Sequence, residues 1–65
     1  METRKQAYDL GFVDARAVVA GIDDMIGSAT LCAEIESRRP SAVDESAIWL
    51  AYYHGRKAGR DESRP

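Results

Sequence analysis

Two side chains of this sequence react or titrate near neutral pH, His54 and Cys32, and each is the only one of its kind. A histidine does general acid–base work when a carboxylate orients it or a nucleophile lies within reach. Around His54 the sequence offers neither at catalytic spacing. The residue falls on the inward arc of a helix beside Ala47 and Ala58, where a packed or half-exposed imidazole is expected. Cys32 falls on the apolar face of a short helix and reads as a small core residue. One cysteine allows no intrachain disulfide, and one histidine with no ligand cluster at metal spacing predicts no metal site. Phosphate loops, nucleophile elbows, zinc signatures and carboxylate pairs set for glycoside chemistry are all missing. A helical chain of 65 residues is also expected to lack the concave volume of about 300 Å³ or more that substrate pockets occupy. The expectation is a protein that is not an enzyme and uses no cofactor.

The chemistry that remains is contact. On the last helix Trp49 and Tyr53 lie off the inward stripe, sharing a side with Glu45, Arg56, Lys57 and Arg60. Trp, Tyr and Arg are the types enriched at interface hot spots, and exposed large aromatics are otherwise a liability. This set is the expected partner-binding face. The basic run from His54 to Arg60 also admits a nucleic-acid reading, with bases stacked on the aromatics. A net charge of −2 and the ordinary use of cations at a helix C-terminus weigh against it. A helix-turn-helix arrangement fails because Asp44 and Glu45 would lead into the groove and meet phosphates. Asp23 and Asp24 read as solvated residues on the outer face of the first helix.

Three helices are needed to carry these residues. Thr3-Arg4-Lys5-Gln6 fits a capping box and opens the first. At about 100° per residue, Ala7, Tyr8, Gly11, Phe12, Ala15, Val18, Val19, Ile22, Met25 and Ile26 fall in one broad stripe, with Lys5, Asp9, Arg16, Asp23 and Asp24 opposite. That phase holds past Gly21 and predicts one continuous helix to about Ile26, stopped by Gly27 in a left-handed cap. A short second helix is capped by Ser28 or Thr30, presents Leu31, Cys32 and Ile35, and ends before Pro40. Ser41 caps the third, Asp44 and Glu45 sit in its first turn where the dipole favours negative charge, and it runs to Ala58 or Gly59. Val43, Ala47, Ile48, Leu50, Ala51, Tyr52 and Gly55 form its inward face. Residues 1–60 are read as a single all-α domain and residues 61–65 as a frayed polar tail.

The first and third helices share a decapeptide. Residues 7–16 and 51–60 both read A-Y-x-x-G-x-x-x-(A/G)-R. Ala7, Gly11 and Ala15 make a small-residue ridge on one helix, and Ala47, Ala51 and Gly55, continued by Gly59, make its counterpart on the other. Small residues at that spacing let two backbones approach closely. A glycine inside a helix costs roughly 1 kcal/mol relative to alanine, and close approach is the economical reason for Gly11 and Gly55. An antiparallel or oblique crossing is expected, with the short helix as a lid.

A chain of this length buries only about 60% of its unfolded surface. The stripe of the first helix is wider than one partner helix plus a lid can cover, so a homodimeric helical bundle is the expected remedy. Charge is uneven: residues 21–50 carry six acids against two bases, and residues 51–65 four bases against two acids. The charged start and lone cysteine predict a reducing, cytoplasmic setting with no membrane segment. These features together predict a small regulator or inhibitor that docks on another protein, in the manner of accessory regulators of bacteria and phages. The alternatives are a nucleic-acid-associated regulator using Arg56, Lys57 and Arg60, and a self-assembling structural subunit.

Overall fold

The structure, a computed structural model, describes residues 3–21 and 26–62. It is all-α, with α1 over Thr3–Val19, α2 over Ile26–Arg38 and α3 over Ala42–Glu62. Among the described residues there is no strand. Asp23, Asp24, Ile22 and Met25 lie outside the described residues, as does the end of the expected tail, residues 63–65.

α1 and α3 form the principal pair, and their small-residue ridges face each other. A Cβ on Gly11 would overlap the Tyr52 carbonyl oxygen, and a Cβ on Gly55 would overlap the Tyr8 carbonyl oxygen. The helices therefore meet backbone to backbone, a geometry that favours Cα–H···O=C contacts and dispersion along the whole seam. Further up, Phe12 and Ala15 abut Gly59, and at the other end Thr3 and Arg4 face Asp44, Ala47 and Ile48. Residue numbers rise together along the seam, so the two helices are parallel and the expected antiparallel crossing is corrected. α2 supplies the return run. It packs antiparallel to α1, with Gly27 beside Leu10 and Asp14 at one end and the Arg38 guanidinium donating to the Thr3 hydroxyl at the other, 2.7 Å away. The core it closes consists of Ala7, Leu31, Ile35, Ile48 and Tyr52, with Leu10, Trp49 and Ala51 packed against it.

The helix ends differ from expectation in instructive ways. α1 stops at Val19, and the N–H groups of Ala20 and Gly21 bond back to Arg16 and Val18. Gly21 has φ 82°, the left-handed cap that had been expected at Gly27. Gly27 instead lies in the first turn of α2. The capping box at Thr3 is not formed: the Thr3 hydroxyl accepts from Arg38, and Gln6 Oε1 is buried without a partner. Neither Ser28 nor Thr30 caps α2, since Ser28 is already inside the helix and the Thr30 hydroxyl donates to the Ile26 carbonyl. α2 closes with Arg39 at φ 49°, ahead of Pro40. The Ser41 cap is as expected, with Oγ accepting the Asp44 N–H at 3.2 Å. α3 runs past Gly59 to Glu62.

Burial also corrects the helix wheels. Val43, Leu50, Val18 and Val19 are exposed despite their place on the expected inward stripes, and so are His54 and Cys32. The reason is common to those on α1 and α3. With α1 and α3 touching at backbone distance the seam is narrow, and one short α2 covers one flank of it.

Gly55→Ala tests the seam. Helix propensity alone would stabilise by about 1 kcal/mol, but the overlap with Tyr8 should win, giving a net loss of about 1–3 kcal/mol in urea unfolding. A neutral or stabilised variant would contradict the close approach.

Candidate functional site

On α3 the residues Tyr53, Arg56, Lys57 and Arg60 recur at helical spacing and so share one side. They line a groove of about 500 Å³, to which α1 contributes Ala15, Val18 and Val19, with His54 at its margin. This volume exceeds what was expected of so short a chain, though the groove is open along its length. Its composition is mixed in a particular way. Val18 and Val19 are about half exposed, Tyr53 is 57% exposed, and the described lining residues include no carboxylate. Among the described lining residues nothing neutralises the three cations. Arg56 is held in place, with its guanidinium carbon 5.9 Å from the centroid of the Tyr52 ring.

The expected binding face is thus partly assembled and partly divided. Tyr53, Arg56, Lys57 and Arg60 stay together. Trp49 keeps ring contact with Tyr53, tilted on it at 6.4 Å between centroids, but it is half-buried against the core and edge-on to Tyr52 at 5.5 Å. It anchors the face from behind and is not an exposed partner of Tyr53. Glu45 is separated as well, bordering another groove with Ile35, Glu36, Arg39 and Pro40 near the α2–α3 connection. Of the packing set, Ala7, Gly11, Ala15 and Gly55 are buried and Ala47 and Ala51 half-buried.

The residue that sequence reasoning missed is Asp14. It is 1% exposed, the one buried charged side chain among the described residues. Its Oδ1 accepts the Gly27 N–H at 2.9 Å, and its Oδ2 accepts the Ser28 N–H at 2.9 Å and the Tyr52 hydroxyl at 2.5 Å. A carboxylate on α1 is thus the N-cap of α2, placed where the helix dipole and two orphaned N–H groups favour negative charge. Gly27 is required because a Cβ there would lie 2.6 Å from Oδ1 and 2.7 Å from the Leu10 carbonyl. Burial pushes the Tyr52 hydroxyl up to about 12, helped by its hydrogen bond to Asp14 and by that carboxylate's charge, and opposed by Arg56. At neutral pH the Tyr52 hydroxyl keeps its proton and donates it in the hydrogen bond to Asp14, so the cluster ties α1, α2 and α3 together.

Among the described residues no group of three His, Cys, Asp or Glu side chains is placed to hold a metal ion, and no helix is long and apolar enough to cross a membrane. No family model, curated protein or solved structure matches the chain.

Two measurements check the Asp14 cluster. Tyr52→Phe removes one donor and should cost about 1–2 kcal/mol, whereas Asp14→Ala strands three donors and should cost about 3 kcal/mol or more. In an alkaline titration followed by tyrosinate absorbance, one of the three tyrosines should titrate late, and Tyr52→Phe should remove that late component. Because the folded Tyr52 value lies above its ordinary 10, its stabilising contribution is complete below pH 10 and declines as the pH rises from there towards about 12.

Proposed function

We propose that this chain is a non-catalytic regulator or inhibitor that docks on a larger protein through the groove between α1 and α3. The observation that carries the reading is the joint exposure of Val18, Val19 and Tyr53 beside Arg56, Lys57 and Arg60. Apolar and aromatic surface at the centre with cations at the rim is the composition of a protein interface. Single-stranded nucleic acid is the weaker reading: Tyr53 and the cations suit it, but two exposed valines offer nothing to a phosphate or a base, and the chain carries a net −2. A cytoplasmic setting accompanies the proposal, since the exposed free thiol of Cys32 is compatible with a reducing compartment.

Self-association is a second reading with its own support. Val13, Val43 and Leu50 are exposed outside the groove, at 60%, 79% and 55%, and burying such residues is what a homodimer of small protomers accomplishes. Sedimentation equilibrium decides this point, and a monomer at high concentration removes the dimer.

For docking, Tyr53→Ala combined with Val19→Ser should leave helicity and thermal stability near those of the parent while abolishing partner recovery by affinity capture from the source cell. Trp49→Ala acts differently, costing about 2 kcal/mol of stability because the indole supports the core. A partner recovered equally well by the Tyr53/Val19 variant would remove the groove from the reading.

A further inference from the structure

The groove is selective in charge as well as in shape. Tyr53, Arg56, Lys57 and Arg60 form a row two helical turns long, about 10 Å at 1.5 Å per residue, and the row flanks a strip of exposed valine. Among the described residues no buried, unpartnered polar atom belongs to its lining, and its cations stand on the rim. Long, shallow and apolar-floored surfaces of this kind take the apolar face of a helix laid lengthwise, and the sign of the rim sets the sign of the visitor.

We infer that the groove seats an acidic amphipathic segment of a partner protein, whose carboxylates pair with Arg56, Lys57 and Arg60 and whose apolar side chains cover Val18, Val19 and Tyr53. The inference rests on the protein-docking reading and specifies the partner's chemistry. Charge complementarity is the ground for it: the described lining holds three full positive charges and no carboxylate, so an apolar segment without acids would bury them unpaired, at a cost in desolvation. Arg56 is partly ordered in advance by the Tyr52 ring, which lowers the entropy lost when it pairs.

The test is selection from a displayed random peptide library on the immobilised 65-residue chain, alongside a variant carrying Arg56→Glu, Lys57→Glu and Arg60→Glu. Circular dichroism checks that both are folded. The expected result is enrichment, on the parent, of peptides that combine Asp or Glu with apolar residues three and four apart. The charge-reversed variant should lose that enrichment and bind the selected acidic peptides about tenfold or more weakly, and Val18→Asp should weaken them while the acids still match. Selected peptides with no acidic bias, or a pool of random single-stranded DNA that binds as well as they do, would overturn the inference. So would acidic selection that appears only after Asp23→Asn and Asp24→Asn, which would make the occupant this chain's own segment. A dimer abolished by the triple charge reversal would assign the groove to a second copy and overturn it too. The two readings fail separately. Partner capture that depends on Tyr53 but survives charge reversal sinks the acidic segment and leaves protein docking standing, whereas capture indifferent to Tyr53 in a folded variant sinks docking through this groove.

Discussion

A carboxylate buried at the centre of so small a protein has to be solvated by the protein itself. Asp14 is solvated by two backbone N–H groups at the start of α2 and by the Tyr52 hydroxyl of α3, so all three helices converge on two oxygen atoms. An unpaired buried charge costs several kcal/mol, and any shift of α2 or of Tyr52 would impose that cost. The cluster therefore acts as a register pin. It sets where α2 begins, which face Tyr52 turns inward, and so where Trp49 and Arg56 stand against the Tyr52 ring. The groove inherits its rim from this arrangement, since Arg56 and its neighbours follow Tyr52 along one helix.

The duplicated decapeptide shows how the same local signal reaches two fates. Gly11 receives the Tyr52 carbonyl and Gly55 receives the Tyr8 carbonyl, so the seam is nearly two-fold symmetric about an axis parallel to the helices. The symmetry stops at the tyrosine rings. In a parallel pair, equivalent side chains point to opposite flanks of the seam. α2 covers one flank, leaving Tyr52 at 1% exposure and Tyr8 at 40%. Burial here is decided by the third helix and not by the motif.

What was legible in the sequence follows from the range of each interaction. The small-residue ridges, the Ser41 cap and the shared side of Tyr53, Arg56, Lys57 and Arg60 depend on spacings within one helix, and all three were readable. Asp14 was not, because its partners lie 13, 14 and 38 residues away. The readable clue was indirect: Gly27 and Ser28 open a helix without a capping side chain of their own, and Asp14 adjoins the Gly11–Ala15 ridge. Periodicity carried α1 past Gly21 to a stop at Gly27, and it misplaced the end because the apolar phase continues through the break that Gly21 makes. Parallel against antiparallel was likewise undetermined by pattern. It depends on whether the segment between α1 and α3 is long enough to form a returning helix, as α2 does.

Leaving Val18, Val19 and Tyr53 exposed is a real cost in a chain with so little core, roughly 25 cal/mol for each Å² of apolar surface left in water. The fold had a means of avoiding it. α2 has 13 residues against the 17 of α1 and lies beside it from Asp14 to Thr3, and a slide of one or two turns along α1 would carry it towards Val18 and Val19. Such a slide would pull Gly27 and Ser28 off Asp14 and strip the buried carboxylate of two of its three donors. The same bonds that hold the core together therefore keep α2 away from the groove. An apolar strip kept uncovered by the strongest constraint in the molecule is where pressure from function, more than from stability, is expected to act. Its cationic rim then decides which surfaces can cover it.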